Sequence, residues 1–402
     1  MSTIYNCHVH VFNARHVPEY FLYGMADGMP KKTAKLVGQL LKTPIMKGLV
    51  IKYLEKFGSP AQKKFIEFLR IGVQKTQDVL YENVMANYPA GTRAVLLPLN
   101  FKYMGAGEEG IGYEQQLEGL LEVKKKNPDT CLPFVFIDPR MGTPLQNRDF
   151  VKKYIDKGFK GIKLYPSLGY YPYDPGLELV YKYAVENNLP VMTHCSRGGI
   201  YYNDTLSLQQ LHSISMLPQV NSILHKPGTP AVKREYNFTS GPTKEFKNNF
   251  LDPENYVDVL LKFPQLKLCF AHFGGDLGEL DVKVKDANAW TWYDKIKKLI
   301  NDPRFPNVFT DISYSLYNTD NMKLFKEDLR VDPAADPEVQ ACQQHMRSRI
   351  LFGTDFFMTL QEDKVTEFKL HTDTMQFLGI PDFMQIANTN PVEFMRSAVY
   401  KL

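Results

Sequence analysis

Short, almost unbroken hydrophobic runs recur along the chain at residues 4–12, 93–99, 132–137, 161–165, 190–194, 266–272, 308–312 and 350–353. They do not alternate with polar positions, which is how strands buried on both faces read. Between most of them lies a stretch with helical period. In 114–126, Leu117, Leu120, Leu121 and Lys124 share one face. In 149–157 the apolar positions are Val151, Tyr154 and Ile155, and in 177–187 they are Leu179, Tyr183 and Ala184. Gly158 and the pair Asn187-Asn188 end those helices just before the next strand. Eight buried strands alternating with helices predict an α/β fold, a closed parallel (β/α)8 TIM barrel. An open doubly wound sheet is the competitor, but no glycine-rich phosphate loop follows the first strand.

Such a barrel needs about 250 residues, and the chain has 402. Two long connections account for the surplus. Residues 14–90 hold two amphipathic stretches and predict a helical insertion after strand 1, a hairpin over one end of the barrel. Residues 196–250 are polar and rich in Gly, Pro, Asn and Tyr, which predicts a long loop insertion after strand 5. No linker or internal repeat divides the sequence, so one barrel domain over 1–402 is expected. Long excursions after strands lie at the catalytic mouth of a barrel and shape its pocket.

Hydrophobic content of 44% and charged content of 23% are those of a soluble globular protein. A net charge of +4 is weak for this length, and the lysine runs sit on helix-like stretches. They read as solvated faces, so no nucleic-acid partner is expected. The cysteines (Cys7, Cys131, Cys195, Cys269 and Cys342) are odd in number and scattered, which indicates neither a disulfide framework nor a zinc ribbon. No basic segment followed by an apolar stretch opens the chain, and no apolar run approaches the roughly 18 residues of a spanning helix. No membrane association and a cytoplasmic location are therefore expected.

Candidate chemistry begins with His8 and His10. Strand residues two apart project to the same side, about 7 Å apart along the backbone. Two such imidazoles either chelate a divalent ion or are simply a pair of histidines in a polar strand. Other strand ends decide between these readings, because all eight C-terminal ends meet at one face of a barrel. The fifth run ends at His194, the sixth at His272, and Gly353-Thr354-Asp355 follows the eighth. Imidazoles with one carboxylate suit Zn2+, with Mn2+, Fe2+ or Co2+ compatible with the same set. Such an ion lowers the pKa of bound water from about 16 towards about 7.

This combination resembles the amidohydrolase superfamily. The segment Gly158-Phe-Lys-Gly-Ile-Lys163-Leu-Tyr-Pro166 and the late Asn388-Thr-Asn-Pro391 resemble its amidohydrolase-related branch, akin to aminocarboxymuconate-semialdehyde decarboxylase. The resemblance runs from about residue 3 to 398, outside the two insertions. It implies that His8, His10, His194 and Asp355 hold one metal ion. His272 then stands beside the metal water as a base or electrostatic partner, and Asp355 serves as general base and acid. Lys163 either contacts an anionic substrate or, carboxylated, bridges two ions. One departure is visible: the branch commonly has an aspartate two residues before the first histidine, and this chain has Asn6. An amide can hydrogen-bond there but supplies no charge.

Around these residues, Arg197 follows the fifth-strand histidine and suits a bidentate grip on a carboxylate. Tyr165, with Tyr170 and Tyr171, is a candidate pocket wall. Asp311 ends the seventh strand, where it can orient a ligand histidine. The reading is a metal-dependent hydrolase acting on a small amide, ester or lactone, with an anionic substrate in reach and a homo-oligomer left open. The alternative is non-oxidative decarboxylation of an aromatic or unsaturated acid on the same scaffold.

Overall fold

The computed structural model is described over residues 3–21, 76–197, 199–203, 248–275, 290–356 and 367–402, with isolated positions between. Eight parallel strands follow one another around the sheet in sequence order. They are β1 (Tyr5–Val9), β2 (Arg93–Leu96), β3 (Cys131–Phe136), β4 (Gly161–Leu164), β5 (Val191–Thr193), β6 (Leu268–Phe270), β7 (Val308–Asp311) and β8 (Ile350–Leu351). Each lies within, or one residue from, a run expected from the sequence. The ring closes between β8 and β1. There the Cys7 N–H donates to the Phe352 carbonyl at 2.9 Å, the Asp355 N–H donates to the His8 carbonyl at 2.9 Å, and Val9 bridges Phe356. The expected (β/α)8 barrel is the observed architecture.

Alternation along the strands separates two apolar layers. On β2, Ala94 and Leu96 pack in the larger core under the helices, whereas Val95, and Leu97 just past the strand, join Cys7, Phe134, Met192, Cys269 and Phe309 in a second cluster. On β4, Ile162 and Leu164 belong to the helix-side layer. Lys163 between them is thereby turned into the barrel, fully buried.

The surrounding helices include α1 (Gln77–Met85), α2 (Tyr113–Lys126), α3 (Pro144–Asp156), α4 (Glu178–Glu186), α5 (Val257–Lys262) and α6 (Trp292–Ile300). On α2 the expected stripe of Leu117, Leu120 and Leu121 is buried, and Lys124 bends its ammonium onto the Cys131 carbonyl at 2.9 Å. Helix α3 starts five residues before the stretch expected at 149–157. Thr143 and Gln146 form a reciprocal capping box and Pro144 supplies the first turn; such a cap contributes about 1 kcal/mol. Of the insertion expected over 14–90, α1 is described, and the greater part of both insertions lies outside the described residues. Among the described residues no helix is long and apolar enough to cross a membrane.

Just past β1 the chain folds back on a buried imidazole. The Asn13 N–H donates to His16 Nδ1 at 3.0 Å, so this ring is neutral with its proton on Nε2. Burial, aided by Arg15, pushes the His16 pKa down to about 4, against about 6.5 in an unfolded chain. Between those values the unfolded chain binds more protons. The stability present above pH 6.5 is therefore lost as the pH falls towards 4, on the order of 3 kcal/mol for this group. Thermal unfolding measured from pH 7.5 to 4.5 should show a shallower decline for His16→Gln than for the wild type.

Candidate metal centre

The C-terminal ends of β1, β5, β6 and β8 bring the histidines and Asp355 together, with irregular backbone at the critical points. The β1–β2 register slips between Asn6 and Val9: three steps on β1 face two on β2. This extra residue is a bulge, a device that re-aims a side chain, and it falls within Cys7-His8. His272 (φ 65°) and Asp355 (φ 59°) adopt left-handed backbone, as do the neighbouring Phe273 and Tyr314. Such conformations disfavour ordinary side chains and cluster at functional sites. Gly353 is needed for close approach, since a Cβ there would stand 2.7 Å from the His8 Cβ.

Hydrogen bonds fix the tautomers. Asp311 Oδ2 lies 3.0 Å from His8 Nδ1, and Oδ1 accepts from the His272 N–H at 3.0 Å, the Ser313 N–H at 2.9 Å and the Ser313 hydroxyl. With its one proton directed to Asp311, Ser313 Oγ offers only lone pairs to His8 Nδ1 at 3.1 Å and His272 Nδ1 at 2.9 Å. Both rings must therefore carry their proton on Nδ1, which leaves Nε2 bare. His10 reaches the same state through the Leu97 carbonyl, 2.8 Å from its Nδ1. Hydrogen bonds of this kind to Nδ1 fix the ring orientation that a metal ligand would need. Asp311, at its strand end, thus contacts both His8 and the His272 backbone. Nothing in the sequence singles out Ser313, because a lone loop serine carries no pattern.

The bare nitrogens converge on one carboxylate oxygen. Asp355 Oδ1 lies 3.4 Å from His8 Nε2 and 3.2 Å from His10 Nε2. Among the described residues, His8, His272 and Asp355 form a group whose ligand atoms all lie within 4.8 Å of one another. His8 Nε2 and Asp355 Oδ1 are buried without a hydrogen-bond partner, and a buried polar atom left so costs about 1–3 kcal/mol. Two orphaned donor atoms in an imidazole–carboxylate set fit a divalent transition ion. Burial first, then Lys163 and His10, holds the His8 pKa well below the ordinary value. Burial holds His272 down at about 4, with His8 and Lys163 adding to the effect and Asp355 and Asp311 opposing it. Both rings are neutral near pH 7, the state a ligand requires.

His194 meets the group through His272, its Nδ1 lying 3.0 Å from His272 Nε2. Its ring stacks on Tyr165 at 4.2 Å between centroids. The backbone at Gly199 closes on its far edge, where a Cβ would sit 3.1 Å from Nε2 and 2.7 Å from the Tyr165 hydroxyl. Tyr165 is thus a wall behind His194, and its hydroxyl accepts from the Ile200 N–H at 3.1 Å. Lys163 Nζ is buried with no hydrogen-bond partner, 5.7 Å from the Tyr165 ring centre. Burial pushes its pKa down to about 8, opposed by Asp311, Asp355 and Cys269. Arg197, half-buried, lies over the Trp292 ring at 4.9 Å. No contact joins Arg197 to the histidine group among the described residues.

Comparison with known proteins agrees with this architecture. No curated protein matches the chain. Among solved structures, a TIM-barrel protein from Bordetella bronchiseptica is similar, with 17% identity, 98% of each chain covered and a TM-score of 0.51. The 5-carboxyvanillate decarboxylase of Novosphingobium aromaticivorans, solved with bound manganese, shares 13% identity over 98% of this chain and 97% of its own, with a TM-score of 0.51. At these identities the likeness is one of fold. The family model described as Amidohydrolase matches residues 76–394, a span that holds Lys163, His194, His272 and Asp355. With most of the sequence inside that match, the chain belongs to the amidohydrolase family.

Proposed function

We propose that the chain is a metal-dependent hydrolase that cleaves a small amide, ester or lactone bearing a negative charge. The observation that carries this reading is the convergence of bare imidazole nitrogens on the orphaned Asp355 Oδ1. His8, His10, His194 and Asp355 would hold one Zn2+ per chain, or Mn2+, Fe2+ or Co2+ in its place, with His272 at the same centre. When bound, the ion supplies an acidified water and a polarising charge for a carbonyl.

The protein groups then divide the remaining work. Asp355 takes the proton from attacking water on its carboxylate and returns it to the leaving group. His272, neutral and fixed with its proton on Nδ1, turns its bare Nε2 towards the centre, where it also meets His194 Nδ1 at 3.0 Å. Lys163 and Arg197 are the cations available for a substrate carboxylate, and Tyr165 packs behind His194 to keep the pocket wall apolar and dry. Burial of His8, His10, Lys163, Tyr165, His194, His272 and Asp355 excludes bulk water, which strengthens the interactions among them.

The unpartnered ammonium of Lys163 also favours a second reading, decarboxylation of an aromatic or unsaturated acid, because it suits any carboxylate held over the site. Incubation with anionic amides and lactones on one side and aryl carboxylates on the other separates the two. Acid and amine or alcohol products are expected. Release of CO2 with no hydrolysis product would replace hydrolysis with the second reading.

A further inference from the structure

Asn6 lies two residues before His8, in β1, fully buried. Its amide joins the two irregular points of the centre. Oδ1 accepts from the His8 N–H at 3.2 Å and from the Thr354 N–H at 3.1 Å. Nδ2 donates to the Thr354 hydroxyl at 2.8 Å and to the Tyr88 hydroxyl at 2.9 Å. An asparagine amide has two lone-pair sites and two N–H donors, and all four are used. Two backbone N–H groups face Oδ1, so the orientation of the amide is determined.

The placement of these bonds gives them their meaning. The bulge between Asn6 and Val9 takes the His8 region out of regular β1–β2 register, and Asn6 Oδ1 receives the His8 N–H there. On the other side, Thr354 immediately precedes Asp355, whose left-handed backbone needs support from its surroundings. Asn6 holds Thr354 by both its N–H and its hydroxyl. One side chain therefore braces the bulge that aims His8 and the strained turn that aims Asp355. Those two residues own the orphaned donor atoms, 3.4 Å apart.

We infer that Asn6 is a positioning residue of the centre: its amide sets His8 Nε2 and Asp355 Oδ1 at the separation a shared divalent ion requires. The inference rests on the metal-centre reading above. It assigns the role to hydrogen bonding rather than charge, since the amide is neutral. Outer partners of ligands typically change metal affinity or activity by about 10–100-fold when removed.

The test uses full-length protein stripped of metal, with Co2+ as the probe. Affinity is measured by competition with a chromogenic chelator, and the Co2+ absorption spectrum reports ligand geometry. Asn6→Ala should weaken Co2+ binding about 10–100-fold, alter the spectrum, and lower kcat more than it raises KM. Asn6→Asp should recover most of the affinity, because its carboxylate still accepts both N–H groups while the Tyr88 and Thr354 hydroxyls turn to donate. Thr354→Val, which loses only one hydroxyl partner, guards against a folding defect in Asn6→Ala and should show a smaller change of the same sign. Wild-type affinity and spectrum in both Asn6→Ala and Thr354→Val would overturn the inference while leaving the metal centre standing. An Asn6→Asp variant as weak as Asn6→Ala would overturn it too. Failure of the wild type itself to take up Co2+ removes the metal-centre reading, and the inference with it.

Discussion

Asp355→Asn should lower kcat by about 10²–10⁴-fold, the range for loss of a positioned acid–base group, with a much smaller change in KM. Asparagine is the informative substitution because it tolerates the left-handed backbone at this position and keeps the side chain's shape. What it loses is the charge at Oδ1 and the capacity to take a proton. The His8 and His10 nitrogens, 3.4 and 3.2 Å from that oxygen, would still be present. The fold should hold: circular dichroism and melting temperature are expected to stay close to wild type while turnover collapses. A variant with wild-type kcat would remove Asp355 from the chemistry.

Replacing His8 and His10 together by alanine should have the larger effect, a loss of turnover of at least about 10⁴-fold together with loss of the ion. The water pKa of about 16 falls to about 7 only while an ion is held, and these two rings are half of the proposed ligand set. Some destabilisation is also expected, because Asp311 Oδ2 loses the His8 Nδ1–H, and an unmet buried acceptor costs about 1–3 kcal/mol. Assays are therefore run well below the variant's measured melting temperature. Full activity in this double variant would refute the mechanism.

The barrel is legible in the sequence because its strands are buried on both faces, and eight short apolar runs, most of them spaced by helical stretches, fit few folds besides a parallel barrel. The placement of His8, His194, His272 and Asp355 follows once those runs are taken as strands, since chemistry in a barrel gathers at their C-terminal ends. What stays hidden is set by irregular backbone and by long-range partners. The extra residue in β1 has no compositional mark. The left-handed turn at His272 is hinted at only by Gly274 and Gly275 behind it, and that at Asp355 by nothing. Ser313 governs two tautomers from a loop position indistinguishable from any other serine. Asn6 is visible as a departure from the related branch, yet its four partners come from residues 8, 88 and 354, which no local pattern connects. The same limit applies to His272: its strand end marks it for the site, but its place in the ligand-atom group with His8 and Asp355 is a matter of three-dimensional distance.

Elemental analysis of the purified wild-type protein bears most directly on the metal centre. About one divalent transition ion per chain is expected, removed by a chelator together with activity and restored with it. A value near two would make Lys163 a bridge between ions. Fully active protein with no bound transition ion would contradict the metal-centre reading.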